Sequence, residues 1–310
     1  MSKLFLLPRG NLGNQMLQLI YAISLQDQVP DLEIFGYDMP LWGLSNRGRM
    51  GWPPLTPSLR LCETDGNGIV PLFLSGTLRR ARVRDIPLRC TQFSPPARFY
   101  DVFSINPDSK PVTGPNELLI NVRGAEILRS THSDYGPIPV DWYRKLIADT
   151  GLSPVFLGQL GEDYYSDILR RSFPSARFVA SQGALADFDA IRLAEHIAVN
   201  VSTFSWLVAW FSQAKTIHLP MLGIFNPIQR PDIWMLPTQD ARYHFHRFPI
   251  RRWAATSAQI SELELPSQAI VLSKSEVIKT ARLNEVARRS LTTKDARLLK
   301  FYSVLSWLPS

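Results

Sequence analysis

Long apolar runs are missing from this sequence. No window of the 310 residues approaches eighteen consecutive apolar positions, the length a membrane-spanning helix needs, so no transmembrane segment is expected. The opening stretch, Met1 to Gly10, has one lysine and a short apolar run stopped by Pro8, too short for the core of a signal peptide. The protein is therefore expected in the cytoplasm. Cysteine is scarce: Cys62 and Cys90 are the two present, and neither has metal-ligand or redox spacing around it. They read as thiols of a reducing compartment, with one disulfide as the alternative. The G-x-G-x-x-G dinucleotide fingerprint, the P-loop and the nucleophile elbow are all absent. A nicotinamide-dependent oxidoreductase is disfavoured by the missing fingerprint and by the lack of an acidic residue placed to hold ribose.

Acidic residues are thin at one end. Between Ala241 and Ser310 there are 12 Lys+Arg against 5 Asp+Glu, whereas residues 1–240 hold 22 of each sign. The net charge of +7 thus sits entirely in the tail. No basic stripe crosses the body, which argues against nucleic acid as a partner. Composition is otherwise that of a globular protein, 45% hydrophobic and 20% charged.

What is present is an alternation of strand and helix signals. Lys3 to Leu7 is an apolar run readable as a buried strand. A Gly10–Asn14 turn follows. Leu12, Met16, Leu19, Ile20 and Ile23 then mark one face of a helix, and Leu32 to Gly36 is a second strand. A βαβ opening implies a parallel sheet. Residues 38–68, rich in Pro, Gly and Trp, read as a long loop region, Ile69 to Leu74 as a strand, and Asn106 to Asn116 as a linker. The rhythm then resumes. Strands are expected at Glu117–Val122, Val155–Leu157, Arg177–Ala180, Ile197–Val201 and Thr216–Leu219. Helices are expected at Asp141–Asp149 with Asp141 capping, Glu162–Arg171, Leu185–Ala194 and Phe204–Gln213. The fold class is α/β, with two Rossmann-like domains facing a cleft, 1–113 and 114–254, and a basic helical tail, 255–310.

Three strand-to-helix junctions could carry chemistry. In Gly10-Asn11-Leu12-Gly13-Asn14-Gln15, glycines let the backbone approach a ligand and helix-start N–H groups favour an anion. A tight turn with Asn capping the helix explains the same residues. Arg123 follows directly on a strand, where a guanidinium can make two parallel bonds to phosphate oxygens. A surface arginine paired with Glu126 or Asp134 is the plainer account. In Asn200-Val201-Ser202-Thr203-Phe204-Ser205-Trp206, the hydroxyls of Ser202, Thr203 and Ser205 could donate to phosphate. Ser202 or Thr203 could equally cap a helix whose core face is Phe204, Trp206, Leu207 and Trp210. Asp187-Phe188-Asp189 matches a short acidic metal-binding pattern but reads as a helix surface, with Phe188, Ile191 and Leu193 buried. The histidines offer no close metal pair except His244 and His246, expected in a basic loop. Metal-independence is the expectation.

Together the junctions resemble the bacterial GDP-fucose-dependent α-1,2-fucosyltransferases. Gly10 to Met16 followed by Gln18 resembles that family's G-G-L-G-N-Q-M-F-Q start. Asn200 to Trp210 resembles its N-S-T-F-S-W-W-G-A-W stretch, with Leu207 and Val208 in place of the second Trp and the Gly. The resemblance covers about residues 3–220. It implies a GT-B-like fold, GDP-fucose as donor, direct displacement with inversion at the anomeric carbon, and a saccharide acceptor in surface polysaccharide or O-antigen synthesis. Where the family has H-x-R-R-G-D-Y, this chain has Asn121, Arg123, Gly124 and Glu126 in place of the His, the two Arg and the Asp. Arg123 matches the arginine implied to bind the donor diphosphate, Asn121 lies beside it, and Glu126, then Asp134, are the candidates to deprotonate the acceptor hydroxyl. These departures leave open another nucleotide sugar, or a non-catalytic sugar-nucleotide binder.

Beyond residue 254, Ser273 to Arg289 reads as a basic helix, and Arg297 to Leu308 mixes Arg and Lys with Phe, Tyr, Trp and Leu. One reading of 273–310 is a peripheral contact with the inner membrane, suited to a lipid-linked acceptor. The other is a terminal helix packed back on the domains.

Overall fold

A computed structural model describes residues 2–48, 58–59, 69–129 and 132–286. The chain divides into two compact units, one of Met1–Phe103, Pro231–Leu236 and Thr280–Ser310, the other of Ser104–Arg230 and Pro237–Lys279. Residues 106–116, the expected linker, thus group with the second unit. Asp189 anchors them there by accepting hydrogen bonds from the Asn106 amide and the Ser109 hydroxyl.

The first unit opens with β1 (Ser2–Leu6), α1 (Leu12–Gln28) and β2 (Leu32–Phe35). Leu4, Phe5 and Leu6 are buried in succession, as a parallel strand covered on both faces requires. On α1 the buried set includes Met16, Leu19 and Ile20 of the expected stripe. Residues 38–68 do not begin as loop. A hairpin of β3 (Tyr37–Met39) and β4 (Leu44–Asn46) stands there, turning at Gly43 in the left-handed conformation. After β5 (Ser58–Leu59), the strand expected at Ile69–Leu74 is instead a short helix, α2 (Val70–Leu74). Pro71 in the first turn decides this. It has no N–H to give a ladder, and its fixed φ suits a helix start. β6 (Arg80–Val83) was not anticipated from sequence, although its alternation buries Ala81 and Val83. The sheet order is β2-β1-β6-β5, all parallel.

The second unit follows the expected alternation closely. β7 (Glu117–Val122), α3 (Val140–Thr150), β8 (Ser153–Gly158), α4 (Tyr164–Ser172), β9 (Arg177–Ala180), α5 (Ala184–Arg192), β10 (His196–Ala198), α6 (Thr203–Phe211) and β11 (Thr216–Met221) succeed one another. Asp141 does not cap α3. Pro139 holds the cap position, and the Asp141 carboxylate accepts from the Ser267 amide at 2.7 Å and pairs with Lys145. Two strands lie beyond the expected five: β12 (Tyr243–Arg247), parallel to β11, and after α7 (Ser257–Ser261) the antiparallel edge β13 (Ile270–Val271). A helix α8 then covers 274–286. Sheet order is β13-β12-β11-β10-β7-β8-β9. From β9 to β12 the strands run three-two-one-four-five-six in chain order, the doubly wound nucleotide-binding arrangement. Helix α6 is apolar on every side and buried. Trp206 and Trp210, one turn apart, stack at 5.6 Å, and truncating Trp206 to Ala should cost ~3–5 kcal/mol.

His244 and His246 lie on β12, not in a loop. The reason is strand periodicity, since Tyr243 and Phe245 face one side and the histidines the other. His246 Nε2 lies 3.2 Å from His218 Nδ1 on β11, and the His244 ring stacks on His218 at 5.0 Å. Burial, then the neighbouring histidines, lowers His218 to a pKa of about 3 and His246 to about 4. Both stay neutral in the fold, whereas the unfolded chain protonates near 6.5. Their contribution is therefore complete above about pH 6.5 and is lost as pH falls toward 4. Stability should drop by ~1.4 kcal/mol per pH unit for each residue in that window. Urea unfolding of wild type and of His218→Gln at pH 7 and pH 5 checks this: the variant should show the shallower loss, and equal losses would contradict it.

Candidate functional site

In the second unit the chain winds outward from β7 through β8 to β9, then returns to start β10 against the other side of β7. Ligands of open parallel sheets bind outside the strand carboxyl ends where the winding reverses. Arg123 follows β7 and Asn200–Ser205 follow β10, so the second and third sequence motifs meet at this point. Their contact is explicit. The Asn200 side-chain amide donates to the Asn121 carbonyl at 3.2 Å, and the Asn121 side chain donates to Leu157 O at 3.2 Å. Asn200 is fully buried, and its Oδ1 has no hydrogen-bond partner.

The hydroxyls at the start of α6 divide their roles. Ser202 caps the helix, accepting from the Ser205 amide at 3.4 Å. Ser205 is fully buried and its Oγ accepts from the Asn200 amide at 3.0 Å, which commits it to the fold. Thr203 occupies the first helical position.

Arg123 Nη2 lies 2.6 Å from Glu126 Oε1, and the guanidinium sits over the Tyr135 ring at 5.0 Å. Burial pushes the Glu126 carboxyl up, but the bond and charge of Arg123 with a backbone amide outweigh it, leaving it below the ordinary carboxylate range. The plainer reading of Arg123 as a partner of Glu126 is thus the one present here. The pair is half open to water, and such pairs contribute up to about 1 kcal/mol. A charged bond to phosphate is worth about 1.5–3 kcal/mol. The guanidinium can therefore exchange Glu126 for an anion at a net gain.

Asp134 serves a different purpose. Its Oδ1 accepts from Gln229 Nε2 at 2.8 Å and its Oδ2 from Arg230 Nη1 at 3.0 Å. Burial raises this carboxyl, while Gln229 and Arg230 lower it by more and hold it ionised. Both oxygens are engaged, so Asp134 is a clamp on the segment after β11 and not a base poised for a hydroxyl. Gly223 completes the joint. Its φ is +58°, and a Cβ there would fall 2.1 Å from Asp134 O, so no other residue fits. Gln229 also bonds to the backbone of Arg251 in both directions, and the Trp253 amide donates to Ser133 O at 2.7 Å. The segments after β7, β10, β11 and β12 thus form one connected rim, with Arg123, Arg230 and Arg251 upon it. Arg230, Arg251, Gln229 and Gly223 were not singled out from sequence. Their position just after strands was the available signal, and β12 had been missed.

Gly10, Asn11 and Asn14 belong to the first unit, in the β1–α1 turn. Asn11 occupies the helix cap, but its side chain makes no capping bond and is exposed. Gly10 has φ +72°, and a Cβ would fall 2.3 Å from Asn14 Nδ2. Gln18 is buried behind the turn, accepting from the Arg9 amide and donating to Leu7 O. Asp189, expected on a helix surface, is buried because it holds the 106–109 segment, and Leu193 is only half-buried. Among the described residues no group of three or more His, Cys, Asp or Glu could hold a metal ion.

If Asp134 is a clamp, Asp134→Asn should lower unfolding free energy by ~1–3 kcal/mol, measured by denaturant titration. Unchanged stability would show that the bonds to Gln229 and Arg230 are dispensable.

No family model matches the chain, and no curated protein matches it. Among solved structures it is similar to a mutant of Arabidopsis thaliana FUT1 in complex with GDP, at 13% identity over 70% of each chain, with a TM-score of 0.43. A likeness of that size assigns no residue and no substrate.

Proposed function

We propose that this chain is an inverting, metal-independent glycosyltransferase of GT-B-like build that takes its sugar from a GDP-sugar, GDP-fucose first among them. The observation that carries the reading is the reversal point of the second sheet. There a guanidinium after β7 and the start of α6 after β10 are held together by the Asn200–Asn121 bond. A helix start beside an arginine is suited to a diphosphate. The motif resemblance supplies the choice of GDP-fucose and of a saccharide acceptor in surface polysaccharide synthesis. The first unit serves the acceptor.

In the reaction the acceptor hydroxyl oxygen attacks the anomeric carbon from the face opposite the phosphate. A C–O bond forms there, the bond from that carbon to the phosphate oxygen breaks, and GDP leaves with the electron pair. Arg123 stabilises the charge gathering on the diphosphate. Glu126, released from Arg123 when the anion binds, takes the acceptor proton. Asp134 stays committed to Gln229 and Arg230. A non-catalytic sugar-nucleotide binder is the second reading, favoured by the closed Arg123–Glu126 pair.

Two variants test these roles. Arg123→Ala should reduce GDP release from GDP-fucose at least ~100-fold, and near-wild-type release would remove it from the mechanism. Glu126→Gln should tighten GDP binding about fivefold by freeing Arg123 while reducing turnover ~100-fold or more. Unchanged turnover would leave Glu126 as a salt-bridge partner alone. A thermal-shift panel of GDP-, UDP- and dTDP-sugars, read beside GDP release, separates the readings: a binder is stabilised by GDP but releases none.

A further inference from the structure

Helix α8 has two unlike faces. Val277, Thr280 and Asn284 are buried, and the Asn284 amide donates to Pro231 O at 3.0 Å. The opposite face presents Ile278, Leu283 and Val286, 39%, 59% and 68% exposed, interleaved with exposed Lys279 and Arg282. Exposed Ile270 and Val271 of the edge strand β13 immediately precede it. Of the acidic residues of α8, Glu276 is exposed in the first turn and Glu285 is half-buried. Glu276 closes a capping box with Ser273, accepting its amide at 2.8 Å and its hydroxyl at 2.7 Å. Glu285 lies 3.6 Å from Arg89 Nη2. The outward arc carries these apolar and cationic side chains beside exposed Ser275 and Glu276, and it belongs to the stretch of sequence that holds the whole positive excess.

We infer that this face of α8 docks on an anionic lipid surface, its branched side chains entering the headgroup boundary and Lys279 and Arg282 meeting phosphates. The charge pattern selects that occupant. A second copy of the same face would set cation against cation, and nucleic acid would leave three apolar side chains unused. Among the described residues no helix is long and apolar enough to cross a membrane, so the contact lies along the surface. It stands apart from the proposed activity.

The test is co-sedimentation of the full chain with phosphatidylcholine vesicles, with and without phosphatidylglycerol. Wild type should pellet with the phosphatidylglycerol vesicles and be released by high salt. Lys279→Gln/Arg282→Gln should weaken binding ~25-fold, at about fivefold per cation. Ile278→Ser/Leu283→Ser/Val286→Ser should weaken it at least as much. Both variants should keep the wild-type melting temperature and GDP-induced shift. No binding to anionic vesicles, equal binding without phosphatidylglycerol, or undiminished binding by both variants would overturn the inference. So would wild-type self-association, without vesicle binding, that the serine variant abolishes.

Discussion

Where β7 and β10 part company, the backbone leaves its ladder, and buried carbonyl and amide groups there need other partners. Asn200 answers that need. Its side chain donates to Asn121 O, and its own amide is taken by Ser205. A buried polar group left unmade costs about 1–3 kcal/mol, so these bonds fix the two strand ends against one another. Everything placed on them inherits that rigidity: Arg123 two residues beyond Asn121, and the start of α6 three residues beyond Asn200. The placement of these residues is a consequence of how the sheet finishes its hydrogen bonding at its reversal point.

The rim around it is held by charge and the seat by sterics. Asp134 draws Gln229 and Arg230 inward, and Gly223 lets the segment after β11 lie against Asp134. Arg123 pairs with Glu126 and Arg251 with Glu262, carboxylates that are 42% and 52% exposed, and such pairings are cheap to exchange. Arg230, by contrast, faces the more buried carboxylate of Asp134. Electrostatics thus distinguish an arginine that can turn to a ligand from one that ties loops.

Much of this was legible in the sequence because buried parallel strands advertise themselves. Leu118 to Val122 and Val155 to Leu157 are apolar runs, and the helices between them have one clear apolar stripe. Asn121, Arg123 and Asn200 could be placed at strand ends for the same reason. Short or mixed elements hid. β6 alternates arginine with small residues, β12 alternates aromatics with histidine, and α2 looks like a strand until Pro71 is weighed. Missing β12 concealed Arg251, and with it half the rim. The role of Asp134 depended on contacts 95 and 96 residues away in the chain, which no local pattern encodes. Asp189 was misread likewise, because the segment it holds lies 80 residues earlier.

The central claim is that a nucleoside diphosphate seats at the reversal point of the second sheet. Amide hydrogen exchange with and without GDP tests it most directly. Protection concentrated in residues 121–126 and 200–206 is the predicted result. A GDP-bound protein whose protection lies elsewhere, with those two segments unchanged, would contradict the account.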